Sequence, residues 1–307
     1  MYFSAFFLTY FIGLGITIGA HRLYTHRCFK ATPLIRAFLL LLQTASGQNS
    51  MFIWCRDHRL HHRYSDTDAD PHNSKRGFFF SHVGWLMCKK HPYVIEFGKK
   101  INISDLQADW MVMFQKKYYS YLYILIAILL PVWIDVYFFG EPWVKAFLVL
   151  YCARYVVTLN YTWLVNSAAH IYGTRPYDKN QQPVESWIVS FFTSGEGWHN
   201  YHHAFPWDYK AAELSTHLNP TARIIEFLAS IGMIYDLKSA PPDMVKNRIM
   251  RTGDGTHYEL GNEEAKAAVK VSYPPLHPMN PTYTVTYEDP VISLKVERDT
   301  SKIISTN

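Results

Sequence analysis

Two stretches of the chain carry the same histidine pattern, His-x-x-His-His. The first supplies His58, His61 and His62, and the second supplies His199, His202 and His203. On a helix, i, i+3 and i+4 spacing stacks three imidazoles along one side, with the adjacent pair splayed by about 100°. Fifteen histidines in 307 residues make chance a poor explanation for two such clusters. Each cluster is therefore predicted to serve two metal ions from one helix turn.

Further histidines lie at the ends of apolar segments. His21 and His26 are five residues apart, which on a continuous helix turns them about 140° from each other, so they could reach different metals. Asn166 and His170 are i, i+4 and share a face. Alone each pair is more often structural, but beside two histidine clusters they are candidate ligands.

The histidine count favours two metal ions over one. Nine histidines exceed the four ligands of a structural zinc site, and imidazole ligation suits Fe, Cu, Zn or Ni. The predicted ligands are His21, His26, His58, His61, His62, His170, His199, His202 and His203, with Asn166 as a tenth polar group. A dimetal centre beside a membrane indicates an oxygen-activating di-iron site that acts on a lipid.

The elements that must position these residues are membrane helices. Residues are 49% hydrophobic and 16% aromatic, and apolar runs occupy 1–19, 34–42, 121–139 and 143–165. This profile predicts an all-α integral membrane protein whose transmembrane helices are capped by a helical cytosolic domain. The run from Pro33 to Trp54 contains Gln43, Gln48 and Asn49, so it is predicted to dip into the membrane surface or line a cavity.

Charge sets the predicted topology. The turn at Gly140-Glu-Pro has almost no basic residues and is expected in the lumen, while Lys and Arg cluster in the other connections. Counting crossings then puts all the histidine motifs on the cytosolic side. Four cysteines without pair spacing agree with a reducing environment and disfavour thiolate metal sites. Arg154 lies inside a predicted span. It is therefore expected either to face the helix bundle or to have a function, and the sequence does not assign its partner.

One large domain and a tail are expected. Residues 1–256 form the domain, with spans at about 1–19, 121–139 and 143–165 and a cap at 20–120 and 166–256. Residues 257–307 are polar and Pro-rich and are predicted to be a disordered tail. The net charge of +5 is modest, and no nucleic-acid partner is expected.

Five motifs closely resemble those of the animal acyl-CoA desaturases, and the segment that follows them leans towards insect members. They are Gly19-Ala-His-Arg-Leu-Tyr-Thr-His26, Arg56-Asp-His-Arg-Leu-His-His62, Asp70-Pro-His-Asn-Ser-Lys-Arg-Gly-Phe-Phe80, Asn166-Ser-Ala-Ala-His170 and Gly195-Glu-Gly-Trp-His-Asn-Tyr-His-His203.

The resemblance implies a four-span endoplasmic reticulum enzyme that introduces a cis double bond, most often Δ9, into a saturated fatty acyl-CoA. It implies two irons, O2, and electrons from NADH through cytochrome b5 reductase and cytochrome b5. It also implies that the nine histidines ligate metal, with Asn166 acting through water. In the family another span precedes the first one seen here, so the first family span is expected to be missing. No His-Pro-Gly-Gly haem motif occurs, so cytochrome b5 is expected as a separate partner.

The resemblance and physical reasoning point to the same substrate contacts. A CoA headgroup is anionic, so Arg56, Lys89 and Lys90 are expected to contact it, with Asn49 and Asp57 as hydrogen-bonding partners. Four residues resemble tunnel positions where the acyl chain bends, namely Gln48, Trp54, Thr158 and Trp163. For the two tryptophans, interfacial anchoring is an equal alternative. Ala5 and Thr9, several turns below His21, are expected to close the far end of the tunnel.

Four polar residues beside the motifs could orient imidazoles, because ligating histidines usually donate their other N–H. They are Asp70, His72, Glu196 and Asp208, and for each one alone a solvated surface position is the likelier interpretation.

Three alternatives stay open. A di-iron hydroxylase or sterol oxidase would share the ligands but retain oxygen in its product. A non-catalytic metal-binding or transport protein should line a crossing path with histidines, yet none lies in mid-membrane. A chain without its first span could also be inactive.

Overall fold

The computed structural model describes residues 2–213 and 218–271, and this part of the chain is predominantly helical. Three helical stretches are long and apolar enough to cross a membrane, Ala5–Thr25, Trp110–Phe139 and Trp143–Ile171. The predicted class, an all-α membrane protein, is confirmed. The helices are α1 Tyr2–Leu14, α2 Pro33–Ser46, α3 Met51–Arg63, α4 Trp85–Met87, α5 Pro92–Gly98, α6 Ser104–Ala108, α7 Trp110–Tyr123, α8 Leu130–Phe139, α9 Trp143–Ala146, α10 Arg154–Asn166, α11 Ala168–Ile171, α12 Trp187–Phe192, α13 His199–Ala204, α14 Pro220–Ser230, α15 Pro242–Thr252 and α16 Glu263–Val271.

Wider π-type turns continue several of these helices without a break. They cover Gly15–Thr25 after α1, Ile124–Leu129 between α7 and α8, and Phe147–Ala153 between α9 and α10. A further π-type turn, Phe80–Gly84, precedes α4, and a 3₁₀ turn occupies Ser74–Arg76. The third stretch ends with α11, so it carries His170 to the end of the membrane-length helix.

The three membrane-length stretches differ in what covers them. In their most apolar windows, 61% of the first stretch is buried inside the protein, against 11% of the second and 17% of the third. Large apolar side chains on the second and third stretches, such as Trp133, Phe138 and Leu148, are exposed. In water such a surface would be unfavourable, so these two stretches present their side chains to lipid.

The first stretch is enclosed because it packs closely on α2. Gly15 has no side chain, and a Cβ atom there would lie only 2.3 Å from the backbone nitrogen of Gln43. The main hydrophobic core then joins the first stretch to α2 and α3 through side chains such as Ile18, Leu39 and Met51. This packing fixes the end of the stretch that carries His21 and His26.

The segment from Pro33 to Trp54 is two helices, which refines the predicted single dipping helix. Proline begins α2, and Gly47 ends it with a left-handed backbone at φ 71°. A Cβ atom at Gly47 would lie 2.5 Å from the Tyr155 ring, so both conformation and space require glycine. The break redirects the chain into α3, which carries the first histidine cluster.

Arg154 is buried in the third stretch and its partners are backbone carbonyls. Its guanidinium donates to Leu150 O at 2.7 Å, to Ala45 O at 3.4 Å and to Ala127 O at 3.5 Å. These acceptors belong to three different helical segments. Arg154 therefore joins the second and third stretches to the end of α2.

The C-terminal part of the described chain folds back on the cap. Strands Lys30–Ala31 and Ile234–Tyr235 pair antiparallel, with Lys30 opposite Tyr235 and Ala31 opposite Ile234. Beyond the predicted boundary at 256, His257 is buried and lies 2.8 Å from Glu213, and α16 follows. The ordered chain thus extends into the segment predicted to be a disordered tail. Residues 272–307, and His217 and His277, lie outside the described residues.

Candidate metal centre and tunnel

All nine predicted histidines come together in two groups, at the end of the helices that the sequence predicts to face the cytosol. In each group, one ring nitrogen per residue lies within 4.8 Å of every other. We call them the five-histidine group and the four-histidine group. The first contains His21, His26, His58, His62 and His202, and the second contains His61, His170, His199 and His203.

The ring nitrogens in these groups point at one another. His202 Nε2 is 2.9 Å from the Nε2 atoms of both His21 and His62, and His203 Nε2 is 3.2 Å from His199 Nε2. The buried Nε2 atoms of His26, His58 and His170 have no hydrogen-bond partner. Convergent, unpartnered imidazole nitrogens are the donor set of a transition metal. The residues present therefore fit two metal ions.

The protonation states of six of the nine histidines suit ligation. Burial, together with the neighbouring imidazoles, lowers the pKa of His58, His62 and His202 well below the ordinary 6.5. The pKa values of His26, His199 and His203 are lowered in the same way. A histidine must be neutral to bind a metal, so burial keeps these rings in the binding form at neutral pH.

Three carboxylates hold three of the rings by their other nitrogen. Glu196 lies 2.7 Å from His21 Nδ1, Asp70 lies 2.8 Å from His61 Nδ1, and Asp66 lies 2.8 Å from His170 Nδ1. Each contact leaves the Nε2 atom of that ring free for metal. Of the three, Asp66 was not among the predicted orienting residues.

In these pairs the charge of each partner shifts the pKa of the other towards the charged form. Burial lowers the pKa of His61, but the adjacent Asp70 carboxylate outweighs burial and raises it. Burial raises the pKa of Asp66, and hydrogen bonds and charges from His170 and Ser74 bring it well below its usual range. For Glu196, Arg22 and His21 overcome burial and lower the pKa to about 2. Burial raises the pKa of Asp70, but the charges of His61 and His72 outweigh burial and lower it, so all three acids are ionised at neutral pH.

The solvated interpretation of the four candidate orienting residues is wrong, because Asp70, His72, Glu196 and Asp208 are all buried. Glu196 and Asp70 do orient imidazoles. Asp208 does not, because it accepts from the Tyr201 hydroxyl at 2.8 Å.

His72 does not hold a ligand ring by hydrogen bonding either. Its backbone N–H donates to Asp70, and burial lowers the pKa of its ring to about 3. Asp70 accepts from His61 and from the backbone of Asp66 and His72, and with His61 and His72 it forms a third group of possible metal ligands.

A buried arginine stands behind the five-histidine group. Arg22 has 0% exposure and forms an ion pair with Glu196. Its other donors reach the carbonyls of Thr17 at 2.9 Å, Tyr209 at 2.8 Å and Lys210 at 3.3 Å. It therefore fixes the carboxylate that fixes His21.

An apolar tunnel runs along the first membrane-length stretch to the histidines. It contains about 710 Å³ of empty space, part of it open to the surroundings, and is lined by residues of the first stretch, α10 and the segment after α12. Thr9, Tyr10 and Gly13 line one part, and His21, His58 and His199 line another. A long apolar chain in this tunnel would pass directly beside both histidine groups.

The residues predicted to bend the acyl chain are placed differently. Trp54 and Thr158 line the tunnel, and the Trp54 ring centroid lies 4.8 Å from that of His58. Gln48 stands behind the lining and donates to Thr162 at 2.8 Å, while Trp54 Nε1 lies 3.4 Å from Gln48 Oε1.

Trp163 is not among the residues that line the tunnel and packs against His82 instead. It is five residues beyond Thr158, which turns it about 140° around the helix. Thr162 lines the tunnel in its place. Asn166 also lines the tunnel, as His199 does.

Most residues predicted for the headgroup gather beside α3. Asp57 forms ion pairs with Arg56 at 2.6 Å and with Lys90 at 3.0 Å. Lys89 and Lys90 line a second, smaller cavity whose inner wall includes Asp70. Asn49 is exposed in the turn before α3, with a left-handed backbone at φ 67°. The structure thus provides an exposed basic site close to the metal centre.

Two buried histidine groups that fit metal ions, at the end of an apolar tunnel, define a membrane protein with a metal centre that an apolar chain can reach. Comparison with known proteins is consistent with that class, because residues 1–225 match the family model described as fatty acid desaturase. The chain belongs to the fatty acid desaturase family and is a desaturase enzyme.

Several curated relatives are similar over most of the chain. The acyl-CoA Delta-9 desaturase of Acheta domesticus is 54% identical over 250 residues, which cover 81% of this chain and 70% of the relative. The acyl-CoA Delta12-desaturase of the same organism is 51% identical, over 80% of this chain and 69% of the relative. The stearoyl-CoA desaturase of Homo sapiens is 50% identical, over 81% and 69%.

Sequence reasoning missed three residues at this centre. Asp66 was visible as part of the acidic run with Asp68 and Asp70, and its i, i+4 relation to Asp70 was a usable signal. Thr162 was detectable as one helical turn beyond Thr158. Arg22 gave no signal, because a single arginine beside a histidine is usually on the surface.

Proposed function

We propose that this protein is an acyl-CoA desaturase that inserts a cis double bond, at Δ9, into a saturated fatty acyl-CoA. The observation that carries the proposal is the meeting of two convergent histidine groups with an apolar tunnel. The metal would be iron, and the oxidant O2. When bound, two iron ions supply the activation of O2 that lets a methylene carbon lose hydrogen.

The chain's own residues supply ligation and orientation. The five-histidine group would hold one ion and the four-histidine group the other, with Asn166 contacting one ion through water. Glu196, Asp66 and Asp70 keep the Nδ1 protons of three rings in place, so that Nε2 faces the metal.

The tunnel would hold the acyl chain and exclude water. Its lining by Thr9, Tyr10 and Gly13 at a distance from the histidines suits a saturated chain that extends past the reacting carbons. Gln48 and Thr162 join the start of α3 to α10, and Trp54 lies against His58 beside them. This fixed wall would set which methylene lies nearest the metals, because a bound chain reacts where it is positioned.

The Δ9 position is the part of the proposal that concerns which methylene carbons react. The relatives named above include both a Delta-9 and a Delta12 enzyme at similar identity. We propose Δ9 because the family resemblance most often implies that position and because the identity to the Delta-9 relative is 54%, against 51% to the Delta12 relative.

The headgroup would bind at the basic site. Arg56, Lys89 and Lys90 offer cations for the CoA phosphates, while Asp57 and Asn49 offer hydrogen bonds. Arg56 and Lys90 are both held by Asp57, so they are presented at one place. A fixed headgroup would set the distance from the thioester to the metal centre, and so the number of carbons between the thioester and the reacting methylene.

Electrons would come from NADH through cytochrome b5 reductase and cytochrome b5. We place the protein in the endoplasmic reticulum membrane, with its metal centre facing the cytosol. Support comes from the family and from the basic residues that lie on the same side as the histidines.

Expression in a yeast that lacks its own desaturase tests the function. Fatty acids would be resolved by mass spectrometry and double bonds located chemically, beside a His199→Ala, His202→Ala variant and a His277→Ala control. A new cis-alkene that is lost only in the double variant supports the proposal. Hydroxylated lipid would contradict the proposal and support the hydroxylase alternative. An alkene at another position would show that Δ9 is wrong.

Chain length can be tested in the same cells. Thr9 lines the tunnel and is buried, with its hydroxyl bonded to Ala5 O at 2.8 Å. Thr9→Phe should shorten the tunnel and shift products to shorter chains, because one larger side chain removes space for several methylenes. An unchanged product length would mean that the tunnel ends elsewhere.

A further inference from the structure

The two histidine groups differ in the charge that stands behind them. We propose, resting on the two-metal function above, that Arg22 is a positioning residue that acts through Glu196 to make the two metal positions electrically unequal. The ion in the four-histidine group then loses an electron first.

The arginine is part of a closed arrangement. A guanidinium is always charged, and a buried charge is tolerated only with partners. Arg22 is paired with Glu196 and donates to the carbonyls of Thr17, Tyr209 and Lys210. The positive charge therefore has a fixed position beside the one carboxylate that orients His21, and it balances that carboxylate.

The four-histidine group has no such balance. Asp66 accepts from His170 and from the hydroxyl and backbone N–H of Ser74. Asp70 accepts from His61 and from two backbone N–H groups. Within residues 2–213 and 218–271, no lysine or arginine forms an ion pair with either acid, and the Arg175 guanidinium acts on Asp66 only from beyond ion-pair distance.

The consequence follows from electrostatics. Two carboxylates without an ion-paired cation favour the more highly charged, oxidised ion nearby, and a carboxylate-bound imidazole is a more basic ligand. A Glu196 carboxylate that is balanced by Arg22 stabilises the oxidised ion less and makes the His21 imidazole less basic. Burial makes the difference larger than it would be in water.

The test uses the full chain, loaded with iron-57 in lipid nanodiscs and titrated with ferricyanide. Each ferrous ion gives one electron to ferricyanide, which becomes ferrocyanide, and Mössbauer spectroscopy counts the ferrous and ferric ions. In the parent chain the two positions should oxidise at separate potentials. Asp70→Asn should raise the lower potential, which assigns it to the four-histidine group.

Two variants should change the difference between the two oxidation potentials in opposite directions. Arg22→Gln leaves the Glu196 charge unbalanced, lowers the potential at the five-histidine group and narrows the separation. Glu196→Gln leaves the Arg22 charge unbalanced and widens it. The double variant should restore the parent separation, and Arg36→Gln, which breaks the remote Arg36–Asp109 pair, should leave it unchanged.

The outcomes separate charge from packing. Opposite shifts confirm the inference, whereas shifts in the same direction, or equal potentials in the parent, overturn it and leave the proposed function standing. If Arg22→Gln does not fold, Glu196→Gln decides, because it keeps all three carbonyl contacts of Arg22: widening confirms and narrowing overturns. A chain that binds fewer than two ions overturns the proposed function and this inference together.

Discussion

Helices α3 and α13 carry the same His-x-x-His-His pattern but deliver it in opposite ways. From α3, His58 and His62 enter the five-histidine group and His61 enters the four-histidine group. From α13, His199 and His203 enter the four-histidine group and His202 enters the other. In both helices the i, i+4 pair stays together, and the i+3 residue, which lies on the same side but about 100° from the i+4 residue, enters the other group. One motif thus serves either metal position, depending on how its helix faces the centre.

The two helices also differ in what stabilises them. α3 is 13 residues long, whereas α13 has six and is too short to be stable in isolation. The Asn200 side chain holds α13 through Tyr177 N, Asp178 N, Asp178 O and Pro183 O, at 2.9–3.0 Å. A buried polar network therefore does for α13 what packing into the main hydrophobic core, through Met51, Phe52 and Cys55, does for α3.

The largest expected effect comes from removing one i, i+4 pair at a time. His58→Ala with His62→Ala should empty the five-histidine group, and His199→Ala with His203→Ala should empty the four-histidine group. Each double variant should lose all desaturation and retain one iron per chain, measured by product analysis and by metal content. If either variant keeps two ions, the assignment of the pairs to separate groups is wrong.

The carboxylates behind the rings should have the next effect. Asp66→Asn and Asp70→Asn should lower the affinity of the four-histidine group for its ion by about 10–100-fold. Glu196→Gln should lower the affinity of the five-histidine group by a similar factor. Competition with a chelator measures this. Asp68→Asn is the matched control from the same acidic run, since Asp68 does not bond to a histidine; equal losses in all four variants would refute the selectivity.

Asn200→Ala tests the support of α13. Four hydrogen bonds are lost in a fully buried position, so the free energy of unfolding should fall by about 2–3 kcal/mol. Arg63→Ala, at the exposed end of α3, should change it by less than about 0.5 kcal/mol. Chemical denaturation in detergent compares the two. Similar costs would mean that both helices depend equally on their surroundings.

The smallest effect distinguishes adjacent histidines of α3 in the metal-free protein. The pKa of His62 is lowered on folding, so below pH 6.5 the unfolded chain binds more protons and stability falls. The pKa of His61 is raised, so its stabilisation is present below pH 6.5 and is lost as the pH rises through the folded value.

His62→Gln should therefore reduce the loss of stability below pH 6.5, and His61→Gln should remove a gain that appears on acidification from above that pH. Neither change can exceed about 1.4 kcal/mol per pH unit. Thermal unfolding midpoints between pH 5.5 and 8.5 measure both slopes. Identical profiles for the two variants would contradict the opposite shifts.

The helical class and the histidines of the centre were predictable from the sequence. Long apolar runs require membrane helices, and i, i+3, i+4 spacing requires the histidines of one motif to share a helix side. The same local logic failed for Trp163, where similarity to a tunnel position did not match its direction on α10. It also failed for Asp208, whose proximity in sequence to a histidine cluster does not bring it to an imidazole.

Tertiary structure alone decided how the local pieces combine. His170 and Asp66 are 104 residues apart, and Arg22 and Glu196 are 174 apart, so no local pattern could pair them. Which group each histidine joins depends on the rotation of α3 and α13 about their own axes, and packing sets that rotation. The chain determined which residues could bind metal, because helical spacing is covalently fixed; the fold decided which metal position each one serves, because long-range packing is not.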